Sequence, residues 1–285
     1  MKLLKNKFIW FFTLSTIVIS WNCSVGNALV SAAMPDISED AKLGQQVSQE
    51  IENNPKQFPV LSESGNGEAY SYIRGITNKI LNSGAVENSK AFPWTVKIIK
   101  DDKTLNAFCT PGGYIYVYTG LIKYLDSEDQ LAGVMGHEIA HADKRHSMRQ
   151  LVKSYGVQAL LGIGTTVATS GKSQGAQQTA NTLAQVASAV VGLSFSREHE
   201  TEADNSSVRY LCATSYNAAG AAAFFEKLGN AGSPPEFLST HPNPANRVQN
   251  IHAQADKAGC KGNLKNESQY QRIKKLLRYC DIVIL

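Results

Sequence analysis

The stretch His137-Glu138-Ile139-Ala140-His141 constrains what this chain can fold into more than any other. On a helix, positions i and i+4 lie about 40° apart, so both imidazoles leave the same face. Leu131, Val134, Met135, Ile139 and Ala142 keep helical spacing around them. That spacing predicts a helix that opens near Asp126 and runs to about Gln150. Ser127 stands at its N-terminal cap and Gln130 at the capping-box position. Two neutral imidazoles on one helical face can bind a single Zn2+. Glu138, next to the first histidine, is placed to hold the attacking water and take its proton.

A zinc site that does chemistry needs a third protein donor and an open position. The richest donor cluster is Arg197-Glu198-His199-Glu200-Thr201-Glu202-Ala203-Asp204. Its acids form two i,i+4 pairs, Glu198 with Glu202 and Glu200 with Asp204, on opposite sides of a helix. Spacing alone leaves the choice between them open. His146 lies about 140° round a continuous helix from His141, a poor position for a ligand. It is read as sitting near the helix C-terminus, where positive charge is favourable. His199 and His252 are read as surface residues.

The first residues are an address rather than part of the fold. Lys2, Lys5 and Lys7 precede an uncharged apolar run from Phe8 to Trp21, and small residues follow to Ala28. This is the plan of a secretory signal peptide over residues 1–28, with an uncleaved anchor or lipidation at Cys23 as alternatives. Loss of those three lysines, with no acid, takes the net charge from +4 to +1. The exported chain then has no electrostatic case for nucleic acid as a partner. Cys109, Cys212, Cys260 and Cys280 remain, and an oxidising compartment allows them to pair. Cys260 and Cys280 bracket the C-terminal tail and are the first-choice pair, at about 3 kcal/mol in the chain-entropy picture.

Helices are predicted over Ile37–Asn53, Glu68–Leu81 and about 197–213, 217–229 and 244–257, with a loop over Asn54–Gly67. Trp94–Lys100 and Tyr114–Tyr118 read as strands. The apolar runs Tyr155–Thr169 and Ala180–Phe195 are each shorter than the ~20 residues of a membrane span. They are read as a buried helical hairpin, with a membrane-dipping or lid-like hairpin as the alternative.

Four blocks carry a family resemblance: Asn106-Ala107-Phe108 with Pro111-Gly112-Gly113, then His137–His141, then Ser196-Arg197 with Glu200–Asp204, then Ser239-Thr240-His241-Pro242 with Arg247. They resemble the zinc metallopeptidase family of HtpX and the CAAX prenyl proteases, closest in plan to its exported periplasmic members of the BepA and LoiP type. The resemblance covers roughly residues 37–255. It implies an α+β, mostly helical, zincin-like core over 34–255, with a small sheet whose edge strand lies over the His137–His141 helix. Residues 256–285 follow as a helical tail, with a disulfide as a candidate tie.

The resemblance makes Glu200 the third ligand to one Zn2+ and Asp204 the acceptor that orients a ligand histidine. His241 and Arg247 would bind the substrate carbonyl or the oxyanion, or His241 would fill the open zinc position and keep the protein latent. Gly113, Tyr114, Ile115 and Tyr116 would form the edge against which an extended peptide lies. Cys109 departs from the family, which more often has a non-thiol residue there. The implied function is an exported zinc endopeptidase of the bacterial periplasm, with attachment to the outer or inner membrane as an option. Its substrates would be unfolded or misassembled envelope proteins, with the outer-membrane assembly machinery as a candidate partner. A latent zinc-bound chaperone and an integral membrane protease are the alternatives.

Overall fold

The computed structural model describes residues 30–166, 174–229, 236–242 and 246–279. The leader readings on Phe8–Ala28 and Cys23, and Cys280, lie outside the described residues. Helix α1 is Ile37–Glu52 and α2 is Gly67–Leu81. Three strands follow: β1 Thr95–Ile99, β2 Ala107–Thr110 and β3 Tyr114–Tyr118. The rest is helical: α3 Thr119–Tyr124, α4 Glu128–Asp143, α5 His146–Tyr155, α6 Val157–Thr166, α7 Gln174–Val191, α8 Arg197–Cys212, α9 Gly220–Gly229, α10 Glu236–Thr240, α11 Arg247–Lys257 and α12 Glu267–Tyr279.

The sheet order is β1-β3-β2, with β1 parallel and β2 antiparallel to β3. Side chains alternate across a strand, so the sheet has two apolar faces. Val96, Ile98, Cys109, Ile115 and Val117 face the core formed with α2, α4 and the C-terminal helices. Phe108, Tyr116 and Tyr118 face a second core with α1 and α5 to α7. There Tyr116 stacks on Phe108 at 4.8 Å, and its hydroxyl lies 2.7 Å from that of Ser48 on α1. A sheet covered on both faces explains why Tyr114–Tyr118 reads as a nearly continuous apolar run. It also corrects the edge-strand expectation. Tyr114, Ile115 and Tyr116 belong to the central strand, hydrogen-bonded on both sides, and β2 is the edge strand that packs against α4.

Helix α4 runs through the middle of the molecule, buried on nearly its whole surface. Two glycines let its neighbours close in. A Cβ on Gly133 would meet the backbone nitrogen of Ala221 at 2.2 Å, and one on Gly136 would meet Ser207 Oγ at 2.6 Å. The N-terminal cap differs in detail from expectation. The Ser127 hydroxyl donates to Asp129 rather than capping, and Gln130 Oε1 accepts from the Asp126 amide at 3.0 Å.

The helix also ends earlier than Gln150. It stops at Asp143, and Arg145 takes the left-handed conformation (φ 57°, ψ 32°) before α5 begins. That conformation costs roughly 1 kcal/mol for a residue with a Cβ. Asp40, buried on α1, offsets it by accepting two hydrogen bonds from the Arg145 guanidinium, at 2.6 and 3.0 Å.

The hairpin expected between 155 and 195 is helical on both arms, α6 and α7, and its turn lies outside the described residues. Among the described residues no helix is long and apolar enough to cross a membrane. The tail helix α12 packs Tyr270, Ile273 and Leu277 into the first core.

The Cys260–Cys280 pairing is overturned: Cys260 is bonded to Cys212, and Cys109 is free and buried. Cys212 ends α8 and Cys260 follows α11, and these two helices pack together. The bond therefore joins packed helices rather than bracketing the tail. It closes a loop of 48 residues, worth about 4 kcal/mol in the chain-entropy picture. Cys212→Ser is expected to lower unfolding free energy by about that amount in denaturant titration without reductant. The same titration with reductant should bring the wild type down to the variant.

Candidate metal centre

Helix α4 supplies His137, Glu138 and His141, and α8 supplies Glu200 and Asp204. His241 follows α10 directly, and Arg247 opens α11. All seven side chains are buried. One donor atom each from His137, His141, Glu200 and His241 lies within 4.8 Å of the others. The Nε2 atoms of His137 and His141 are 3.0 Å apart, and His241 Nδ1 is 3.3 Å from His137 Nε2. Glu200 Oε1 is 3.3 Å from His141 Nε2 and 3.1 Å from His241 Nδ1. Donors about 2.05 Å from a zinc ion form a tetrahedron with edges of roughly 3.3 Å, so the set fits that ion.

The proton inventory agrees. Asp204 Oδ1 lies 2.9 Å from His137 Nδ1, which donates to it. A neutral His137 therefore aims its Nε2 lone pair into the cluster, where a carboxylate also points. Such a set needs a metal ion or a shared proton at its centre. Of the two acid pairs left open by spacing, Glu200 and Asp204 face the cluster. Glu202 turns instead to His146, and Glu198 is exposed.

Arg247 fixes Asp204 in turn. Its Nε and Nη2 each donate to that carboxylate at 2.7 Å, and its guanidinium lies 3.7 Å over the Phe225 ring. Nη2 is also 3.1 Å from Glu200 Oε2. Aromatic rings brace the imidazoles: Phe195 stacks on His141 at 3.9 Å and Phe237 on His241 at 4.2 Å.

Burial pulls the His137 imidazole down, but the Glu200 carboxylate and the hydrogen bond to Asp204 outweigh it and raise it to about 9. Burial would raise Glu200, yet His137 and the surrounding imidazole hydrogen bonds hold it far below the carboxylate range. His141 is pulled well down by burial. Burial also raises Glu138, against the pull of His241 and His137. Burial pushes the free Cys109 thiol well up, with Glu138 adding to it.

Two histidines differ from their sequence reading. The break at Arg145 returns His146 toward His141, so its buried Nδ1 lies 3.0 Å from His141 Nδ1. It is therefore not on the far side of a continuing helix. His199 is half-buried and stacks on His146 at 4.3 Å, which corrects its surface assignment. His252 is exposed and pairs with Glu226. The spacing of the i,i+4 histidines was visible in sequence, whereas the left-handed residue that redirects His146 carries no glycine or proline to announce it.

A central helix presenting two imidazoles, a second helix presenting a carboxylate to them, and an edge strand packed on the first define a zincin-like metallopeptidase. The chain belongs to Peptidase family M48, which matches residues 70–255. It is 30% identical over 193 residues to the beta-barrel assembly-enhancing protease of Escherichia coli, covering 65% of this chain and 38% of that protein. It is 32% identical over 176 residues to the mitochondrial metalloendopeptidase OMA1 of Arabidopsis thaliana, 60% of this chain and 33% of that one. With the OMA1 metalloendopeptidase of Schizosaccharomyces pombe it shares 29% identity over 188 residues, 63% and 51% of the two chains. The chain thus spans about a third to a half of these relatives.

In the metal-free protein, charged His137 stabilises the fold fully below the unfolded value near 6.5, and that contribution is lost as pH rises through about 9. At pH 7.5 a metal must therefore displace this proton. Zinc titration calorimetry in two buffers of different ionisation enthalpy should show release of about one proton per ion. Equal heats in both buffers would contradict it.

Proposed function

We propose that this chain is a zinc-dependent endopeptidase in which His137, His141 and Glu200 hold one Zn2+ and Glu138 is the general base. Bound there, zinc supplies a Lewis acid and lowers the pKa of a water. The observation that carries the reading is Glu138 Oε1. It is buried without a hydrogen bond, 3.5 Å from His241 Nε2 and one residue from a ligand. An unsatisfied buried carboxylate oxygen costs at least about 1–3 kcal/mol. A base that must accept a proton from an attacking water requires such an atom. Glu138 then passes that proton to the leaving amine.

Asp204 holds His137 in the tautomer that leaves Nε2 free, and Arg247 holds Asp204. Arg247 Nη1 makes no hydrogen bond, which supports a role for it with His241 at the oxyanion. An extended peptide would add to the edge strand β2, where main-chain hydrogen bonds give affinity with little sequence preference.

His241 here completes the donor cluster, and the Phe195 amide donates to the Thr240 carbonyl at 3.2 Å beside it. With every donor buried, substrate entry requires this side to open. That observation favours the latent form, and with it the second reading, a zinc-bound chaperone that seldom cuts. The substrates we infer are unfolded or misassembled proteins of the bacterial envelope, with outer-membrane assembly machinery as a partner and the periplasm as location. The similarity to a beta-barrel assembly-enhancing protease supports this, as does the apolar run behind Lys2, Lys5 and Lys7.

Glu138→Gln is expected to lower casein cleavage by at least about 100-fold while zinc analysis still finds about one ion per chain. Zinc in both proteins and cleavage by neither would favour the chaperone reading. His241→Ala separates the two roles of that histidine: faster cleavage identifies a latch, and slower cleavage an oxyanion partner.

A further inference from the structure

A second hydrogen-bonded chain leaves the cluster from His141, as the one through Asp204 leaves from His137. His141 Nδ1 and His146 Nδ1 face each other at 3.0 Å, and His146 Nε2 lies 3.1 Å from Glu202 Oε2. His146 is fully buried, whereas the Glu202 side chain is 45% exposed. The His146 ring is held in plane by His199, stacked at 4.3 Å with 15° between the rings.

A neutral imidazole has one N–H and one lone pair. An exposed carboxylate at Glu202 accepts only, so His146 must carry its proton on Nε2. Its Nδ1 is then a lone pair, and the proton shared with His141 must sit on His141 Nδ1. That leaves His141 Nε2 bare, facing the other donors. The opposite tautomer pair would set a lone pair against the Glu202 carboxylate and put an N–H into the metal cluster. Only one arrangement satisfies both contacts, and it is the one a metal needs.

Resting on the reading that His141 is a ligand, we propose that Glu202 and His146 form a positioning relay that fixes the tautomer and ring orientation of His141. It is the counterpart, two residues long, of the Arg247–Asp204 support of His137. The left-handed Arg145 belongs to this device, because without that turn His146 would continue round α4 and away from His141.

The test is zinc affinity of the full chain by competition with a chromophoric chelator, with near-ultraviolet circular dichroism of each metal-free protein as the packing control. His146→Leu removes the acceptor and should raise the dissociation constant about 10- to 100-fold. His146→Asn places an amide oxygen near the former Nδ1 position and should stay within about threefold of the wild type. Glu202→Ala should weaken binding about tenfold, while Glu198→Ala, the same charge loss on the exposed side of α8, should not. Wild-type affinity in His146→Leu overturns the relay, as does an equal loss in His146→Asn. Equal effects of Glu202→Ala and Glu198→Ala also overturn it, since they reduce it to net charge. A wild type that binds no zinc overturns the metal reading and the relay together.

Discussion

Three imidazoles and a carboxylate are buried facing one another, and the rest of the structure serves that arrangement. Lone pairs this close repel, and burial removes the water that would screen them. The set is tolerable only with a cation or a shared proton at its centre. Both occupants demand that the donors be held within a few tenths of an ångström. The close approach of α8 and α9 to α4 at Gly136 and Gly133 provides the rigid frame. Phe195, Phe225 and Phe237 provide the walls.

The supports around the donors are asymmetric. His137 is oriented by an acid that is itself clamped by a buried arginine, an arrangement closed to solvent. His141 is oriented through His146 to an acid at the surface. The first support comes from α8 and α11 and the second from α5 and α8, so α8 contributes to both. The disulfide ties the end of that helix to the segment after α11, which places the covalent constraint beside the elements that hold the ligands.

Much of this was legible in the sequence, for physical reasons. The histidine spacing survives because i,i+4 geometry is local, and the helix spans follow because their apolar period is strong. Tyr114–Tyr118 was recognisable as a strand but not as the central one, since its place depends on which strands flank it. The choice of Glu200 over Glu202 came from family resemblance, as the two differ only in which side of α8 meets α4. The Cys212–Cys260 bond could not be read from spacing, because four cysteines allow three pairings and helix packing selects one. His146 was misplaced because a single left-handed residue, Arg145, breaks the helix where period alone continues it.

At the centre of this structure, His137 and His141 of α4 and Glu200 of α8 hold one zinc ion, with His241 after α10 as the fourth donor in the latent form. X-ray absorption at the zinc edge of the loaded protein tests it most directly. Four nitrogen or oxygen neighbours at about 2.0–2.2 Å, the outer scattering of imidazole rings, and no sulfur are expected. Loss of one imidazole in His241→Ala would show which state the loaded protein adopts. A sulfur neighbour near 2.3 Å, which would point to Cys109, or failure to load zinc at all, would rule this metal site out.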